Sequence, residues 1–343
     1  MKSSAKHDIL TQTKKGRNSL LKRYAIGKRA VCAAAALAVG GVLLGFGAMR
    51  GRTLLRTAFD GRHLEHAEEE VSRFDLWAET ARQQTRPRVS GWLTVVQPQS
   101  AAVQTDRGML RGTVYPPLGD AQDAPWVILF HGGPGTDSCQ VEDVACELSL
   151  AGYRVLTPDL FAHGASDGEL TAFGAADAQD VRAWVDWVRG ETQNARVALM
   201  GVDEGALAVL MAASEGLPEN VRAIAADSPV PTVMSRAEAV LAGEGETLSA
   251  LDRLLMRAAY RVSFGEMLAD VPVSRLDAGG KPLLLLAGTL DEQSPAYLAE
   301  DIARTAGERA RVELIEGASH GMARYMDAQR YYAALLAFLK EEV

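Results

Sequence analysis

The sequence predicts an α/β fold built on a mostly parallel sheet, and three observations predict it. From Pro125 onward, short apolar runs alternate with helix-length segments. Those runs are nearly continuous in Val, Ile, Leu and Ala instead of alternating with polar residues, as expected of strands covered on both faces. Glycine-bounded motifs stand directly after several of them, at the strand ends where open α/β sheets place their sites.

The expected strands are Trp126 to Phe130, Tyr153 to Thr157, Val197 to Gly201, Val221 to Ala226, Leu283 to Ala287 and Val312 to Ile315. Upstream, Trp92 to Val96 and Met109 to Tyr115 alternate apolar and polar residues around Asp106-Arg107-Gly108, which predicts an antiparallel entry hairpin. The stretch His63 to Arg86 reads as a helix ended by the Pro87 region, so residues 50–89 are expected to form a stalk or covering helix. Residues 90–343 then make the main domain. Within it, residues 231–281 are too long for a crossover loop and carry helical spacing at Leu251, Leu254, Leu255 and Ala258, which predicts a helical lid.

Charge divides the chain. Residues 1–62 hold 13 Lys/Arg and 2 Asp/Glu, net +11, and the remainder is net −19. An acidic body with no basic run after Arg62 lacks the clustered cations that release counterions from phosphates, which excludes a nucleic-acid partner. The leader has a different use. Ala30 to Met49 is a run of 20 uncharged residues, and as a helix it would span about 30 Å, the thickness of a hydrocarbon core. That run is longer than the apolar part of a cleavable signal peptide and is followed at once by Arg50, Arg52 and Arg56. A basic tail over 1–29, a transmembrane signal anchor over 30–49 and a single-pass membrane protein are therefore expected. The six basic residues from Lys15 to Arg29, against four from Arg50 to Arg62, put the tail in the cytoplasm and the body outside it.

Cys139 and Cys146 are seven residues apart in a segment expected to become helical, about 10 Å along a helix and too far to bridge unless Cys139 lies in the preceding loop. With no C-x-x-C, six scattered histidines and no G-x-G-x-x-G, neither a metal nor a cofactor is expected.

The chemistry-bearing residues follow strand ends. His131-Gly132-Gly133-Pro134-Gly135 comes directly after Phe130, where glycines can turn a backbone N–H toward a developing oxyanion. Gly201-Val202-Asp203-Glu204-Gly205 has the form of a nucleophile elbow, in which flanking glycines let a strand turn sharply into a helix and project the central side chain. That central residue is Asp203, readable as a nucleophile or as the cap of the following helix. Asp291 follows the strand ending at Ala287, and His320 the one ending at Ile315. The order nucleophile, acid, histidine gives Asp291 as orienter and His320 as base.

Taken together with Pro158-Asp159-Leu160-Phe161-Ala162-His163-Gly164-Ala165-Ser166-Asp167 and Ala226-Asp227-Ser228-Pro229, these motifs resemble the α/β-hydrolase superfamily, in particular bacterial membrane-anchored serine aminopeptidase-like and acyl hydrolase-like members. The resemblance implies an α/β-hydrolase fold, a small-molecule substrate, and an oxyanion hole from the backbone N–H groups of Gly133 and Glu204. Asp203 departs from the usual serine. Dehalogenases and epoxide hydrolases of the superfamily use an Asp nucleophile, but Glu204 would repel a departing halide and raise the Asp203 pKa, and Tyr260 is the only tyrosine of the lid segment. An active hydrolase with an Asp-His-Asp triad and a silent member serving as a binding protein are both compatible with these residues.

Overall fold

The apolar runs form one eight-stranded sheet in the order β1-β2-β4-β3-β5-β6-β7-β8. The computed structural model describes residues 40–60, 75–119, 123–133, 137–172, 175–265 and 272–343. Strands β3 (Trp126–Phe130), β4 (Arg154–Pro158), β5 (Val197–Val202), β6 (Val221–Asp227), β7 (Leu283–Gly288) and β8 (Ala310–Ile315) pair in parallel, each within about two residues of its sequence-derived bounds. Strands β3, β5 and β7 are buried at every residue, which is why they carry no alternating polar face.

The entry hairpin differs from expectation. Its strands are β1 (Gln99–Thr105) and β2 (Gly108–Tyr115), with Thr105 paired to Gly108 across the Asp106-Arg107 turn as expected, but Trp92 to Val96 is not a strand. Helix α2 (Asp75–Val95) runs through Pro87 and takes in that segment. The reason is packing. Val89, Trp92 and Val96 recur at helical spacing, Trp92 and Val96 are buried, Trp92 Nε1 donates to Ser149 Oγ at 3.1 Å, and its ring lies 4.8 Å from that of Tyr115. This burial outweighs the backbone hydrogen bond that Pro87 removes.

Helices cover both faces. On one, α2, α3 (Glu142–Leu150) and α10 (Ala328–Glu342) pack on Val127, Leu129, Val155, Ala198 and Met200. On the other, α4 (Ala175–Glu191), α5 (Glu204–Ser214) and α8 (Ala296–Ala306) pack on Trp126, Ile128, Phe130, Leu156 and Leu199. The lid segment supplies α6 (Val233–Gly243) and α7 (Ala250–Phe264), each opened by a capping box, Thr232 with Ser235 and Ser249 with Asp252. In α7 the predicted stripe is turned outward: Met256 and Tyr260 are buried, while Leu251 and Leu254 are exposed.

The segment expected to stand between membrane and body is divided. A helix, α1, covers residues 40–59, and its second half is part of the core, with Leu54, Leu55, Ala58 and Phe59 buried. Residues 50–59 therefore join the body instead of forming a stalk, and α2 is the covering helix. Of the predicted span, residues 30–39 lie outside the described residues, as does the tail at 1–29. Among the described residues, no helix is long and apolar enough to cross a membrane. Cys139 and Cys146 are free thiols.

Candidate active site

The elbow forms at the carboxyl end of β5. Asp203 adopts φ 54, ψ −111, a strained conformation for a residue with a side chain. Two backbone bonds hold it there: Asp203 N donates to Asp227 O at 2.9 Å, and Asp203 O accepts from Leu207 N at 3.2 Å. Its side chain makes no cap bond to α5, so the geometry is that of an elbow rather than of a helix cap. The glycines are required by close approach. A Cβ on Gly205 would lie 2.4 Å from His131 O, and one on Gly132 would lie 2.5 Å from Asp203 Cβ.

Asp203, Asp291 and His320 come together as the chain order predicts. His320 Nδ1 donates to Asp291 Oδ2 at 2.9 Å, and Asp291 Oδ1 also accepts from Gln293 N and Ser294 N at 2.9 and 2.7 Å, which fixes its orientation. On its other side, His320 Nε2 lies 3.1 Å from Asp203 Oδ1, an ion pair whose alignment falls short of a formed hydrogen bond. Burial alone would lower the His320 pKa, but the charges of Asp203 and Asp291 and the hydrogen bond to Asp291 outweigh it and raise the value to about 10. At neutral pH the ring is an imidazolium between two carboxylates.

Arg236 is the residue that sequence reasoning misses. It reaches the site from α6, with Nε donating to Glu204 Oε1 at 2.7 Å, Nη2 3.5 Å from Asp203 Oδ2 and Nη1 donating to Gln293 Oε1 at 3.0 Å. A single Arg in an insertion carries no pattern; the capping box at Thr232 and Ser235 marks only the start of its helix. The arrangement reverses the expected effect of Glu204. Burial would raise the Asp203 pKa, yet Arg236 and then His320 hold it below the ordinary carboxylate value. It is Glu204 that is raised, to about 8, by burial against the pull of Arg236 and with the Asp203 charge adding to the rise. Arg236 thus pairs with both Asp203 and Glu204, and it is Glu204 whose proton is held the more tightly.

The backbone N–H of Glu204 contributes to lowering the Asp203 pKa. Gly133 follows β3 with φ 83, at the edge of the described residues. The remaining motif residues are structural. His131 Nε2 accepts from Leu160 N at 3.0 Å, burial keeping its pKa low and the ring neutral, and Asp159 accepts from Ser138 N and Ala165 N at 2.9 Å each. Asp227 accepts from Tyr331 Oη at 2.8 Å and from Ser228 Oγ at 3.0 Å, directly behind the elbow.

Comparison with known proteins agrees with this architecture. A family described as the alpha/beta hydrolase fold matches residues 125–244. The uncharacterized protein Rv2307c of Mycobacterium tuberculosis is 27% identical over 246 residues, covering 71% of this chain and 79% of its own length. Among solved structures, the esterase Pf2001 of Pyrococcus furiosus superposes with a TM-score of 0.57 at 21% identity, covering 75% of this chain and 95% of that one. A bacterial membrane phospholipase A superposes with a TM-score of 0.53 at 19% identity, covering 77% and 92%. At these identities the two structures speak for the fold. With its central parallel strands, its elbow at the carboxyl end of β5, and a histidine and an acid following β8 and β7, the chain has the α/β-hydrolase fold, the family that its residues 125–244 match.

Proposed function

We propose that the protein is a membrane-anchored hydrolase that opens small epoxides through a covalent ester on Asp203. The observation that carries this reading is the placement of His320 between Asp203 and Asp291, with Nε2 3.1 Å from Asp203 Oδ1 and Nδ1 bonded to Asp291 Oδ2: two flanking carboxylates favour an imidazolium, which cannot take a proton from a nucleophile, and Asp203, paired also with Arg236, is held in the ionised form that needs none taken. Asp203 attacks the electrophilic carbon, the carbon–oxygen bond to the leaving group breaks, and the leaving oxygen takes the Nε2 proton of His320. Esterification removes the Asp203 charge, so the now neutral His320, oriented by Asp291, accepts a proton from water as the water attacks the ester. The Asp203 Cγ–O bond to the product then breaks, the departing alkoxide takes the second proton of the water from the carboxyl group just formed, and product leaves with Asp203 ionised and His320 again protonated. The N–H groups of Glu204 and Gly133 are assigned to the developing oxyanion. In this scheme the imidazolium serves as the acid for which an epoxide hydrolase would use tyrosines.

The test is trapping. His320→Gln lacks the proton donor and should be alkylated slowly by an epoxide, but it also lacks the base for hydrolysis, so after prolonged incubation intact-mass and peptide analysis should find the substrate trapped on Asp203. In Asp203→Ser, His320 loses one of its two carboxylates and becomes able to serve as a base, so esterase activity should emerge. Absence of both overturns the catalytic reading. One observation favours the second reading, a silent ligand-binding member: Arg236 lies over a buried Asp203, so entry requires α6 to move. That reading expects no adduct with any epoxide or haloalkane, and is compatible with esterase activity restored in Asp203→Ser by the retained Asp291, His320 and Gly133.

Membrane anchoring is part of the same proposal, through a helix over Ala30 to Met49 with the body on the extracytoplasmic side. It is supported by exposed Val42, Leu43, Leu44, Phe46 and Met49 on α1. Carbonate washing should leave the protein in the membrane, and protease shaving of intact cells should digest the body; release by carbonate, or a protected body, contradicts the corresponding part.

A further inference from the structure

Helix α7 presents to solvent the residues a helix normally buries. Leu251, Leu254 and Val262 are 63%, 63% and 86% exposed, and with exposed Ala258 they recur at i, i+3, i+7 and i+11, a single stripe. Arg253, Arg257 and Arg261 recur every fourth residue beside it, against one acid, Asp252. An exposed apolar stripe flanked by arginines is the pattern of a helix lying in a membrane interface.

A second apolar surface adjoins it. On α1, Val42, Leu43, Leu44, Phe46 and Met49 are between 58% and 76% exposed. Their spacing distributes them around the helix instead of along one side, so a protein groove, which would cover one stripe, could not bury them all, whereas lipid could. The two helices are joined where these surfaces meet. A Cβ on Gly51 would lie 2.5 Å from Leu255 O and one on Gly47 would lie 3.2 Å from Leu255 Cδ2, so α1 rides directly on α7. Arg50 closes the crossing with Nε to Asp252 Oδ1 at 3.0 Å and Nη2 to Glu246 Oε2 at 2.9 Å. Beyond it, the Phe59 ring packs on Tyr260 of α7 with centroids 5.5 Å apart.

From this juxtaposition we infer that α7 is a second membrane contact, lying in the interface of an anionic phospholipid bilayer with Leu251, Leu254 and Val262 among the upper acyl segments and its arginines at the phosphates. The inference rests on the anchoring reading given under Proposed function and goes beyond it, because an anchor alone leaves the lid free in water. It also connects the membrane to the site: Arg253 Nε donates to Glu238 Oε1 at 2.6 Å, which ties α7 to α6, the helix that carries Arg236.

The experiment uses the full chain in vesicles of phosphatidylglycerol and phosphatidylethanolamine, with Cys32→Ala, Cys139→Ser and Cys146→Ala and one new cysteine, Leu254→Cys, Val262→Cys or the control Glu300→Cys, carrying an environment-sensitive fluorophore. Quenching by lipids spin-labelled high on the acyl chain should be several-fold stronger at 254 and 262 than at 300. If the protein floats with the vesicles but 254 and 262 are quenched no more than 300, the α7 contact is overturned while the anchor stands. If the protein does not float, the anchoring reading fails and takes this one with it. Amide hydrogen exchange of the unsubstituted chain provides a readout that needs no cysteine replacement: residues 250–264 should exchange more slowly on these vesicles than on wholly zwitterionic ones, and equal exchange contradicts the assigned role of the arginines.

Discussion

His320 Nε2 stands 3.1 Å from Asp203 Oδ1, and this contact makes the charge state of the histidine depend on whether Asp203 is free or esterified. In the proposed mechanism the free enzyme holds an acid ready for the leaving oxygen, and the intermediate holds a base ready for water.

The pH–rate profile should show it. With Asp203 attacking, kcat/KM should fall on the alkaline side near pH 10, where His320 loses the proton it must donate. The esterase made by Asp203→Ser should behave in the opposite sense, gaining activity as rising pH deprotonates a histidine paired only with Asp291. Parallel profiles for the two proteins would contradict the assignment.

Stability should follow the same group. Its folded pKa of about 10 lies above the unfolded value of about 6.5. The stabilisation is thus complete below the unfolded value and is lost as pH rises through the folded one. Urea midpoints of the wild type should fall between pH 7 and pH 10, and those of His320→Gln should fall less; equal slopes would show that the imidazolium contributes nothing.

Removing Arg236 should be costly, and altering Glu204 should not. Arg236→Met leaves Asp203 buried without its guanidinium, a change of about 3–5 kcal/mol by comparison with other broken buried pairs. Glu204→Gln keeps a neutral acceptor for Arg236 Nε and should stay within about 1 kcal/mol near pH 7. Chemical denaturation of the two variants checks the order, and a reversed order means that Glu204 is ionised.

Tyr331→Phe should destabilise by about 1–3 kcal/mol, because Asp227 loses the hydroxyl that satisfies a buried carboxylate oxygen. Since Asp227 contacts the elbow only through its backbone, KM should change little. An unchanged denaturation midpoint would mean that solvent replaces the hydroxyl.

The central strands could be read from sequence because a strand buried on both faces must be apolar throughout, and few other elements of that length are. Asp203 and Asp291 could be placed because each follows such a strand, and His320 because it follows β8 in the chain order expected for this fold. Trp92 to Val96 was misleading because a five-residue segment can satisfy both alternation and helical spacing, and only its contacts with Ser149 and Tyr115 decide between them. The α7 stripe was placed by its period alone, which gives the helix but not the side that faces the core. Arg236 and the depressed Asp203 pKa have no local signature, since they arise from α6 folding over the end of β5.

The bond between Tyr331 and Asp227 spans 104 residues of chain, which orders events while the polypeptide is being made. On a ribosome, β5 and β6 emerge well before α10, so for part of synthesis the aspartate behind the elbow has no phenol to meet. A nascent chain stalled just after β8 would hold most of the sheet but not His320, and would lack both the catalytic cluster and this support. The support behind the elbow is therefore completed only when α10 docks, and a translation pause anywhere between Asp227 and Tyr331 would prolong the time for which Asp227 lacks its phenol.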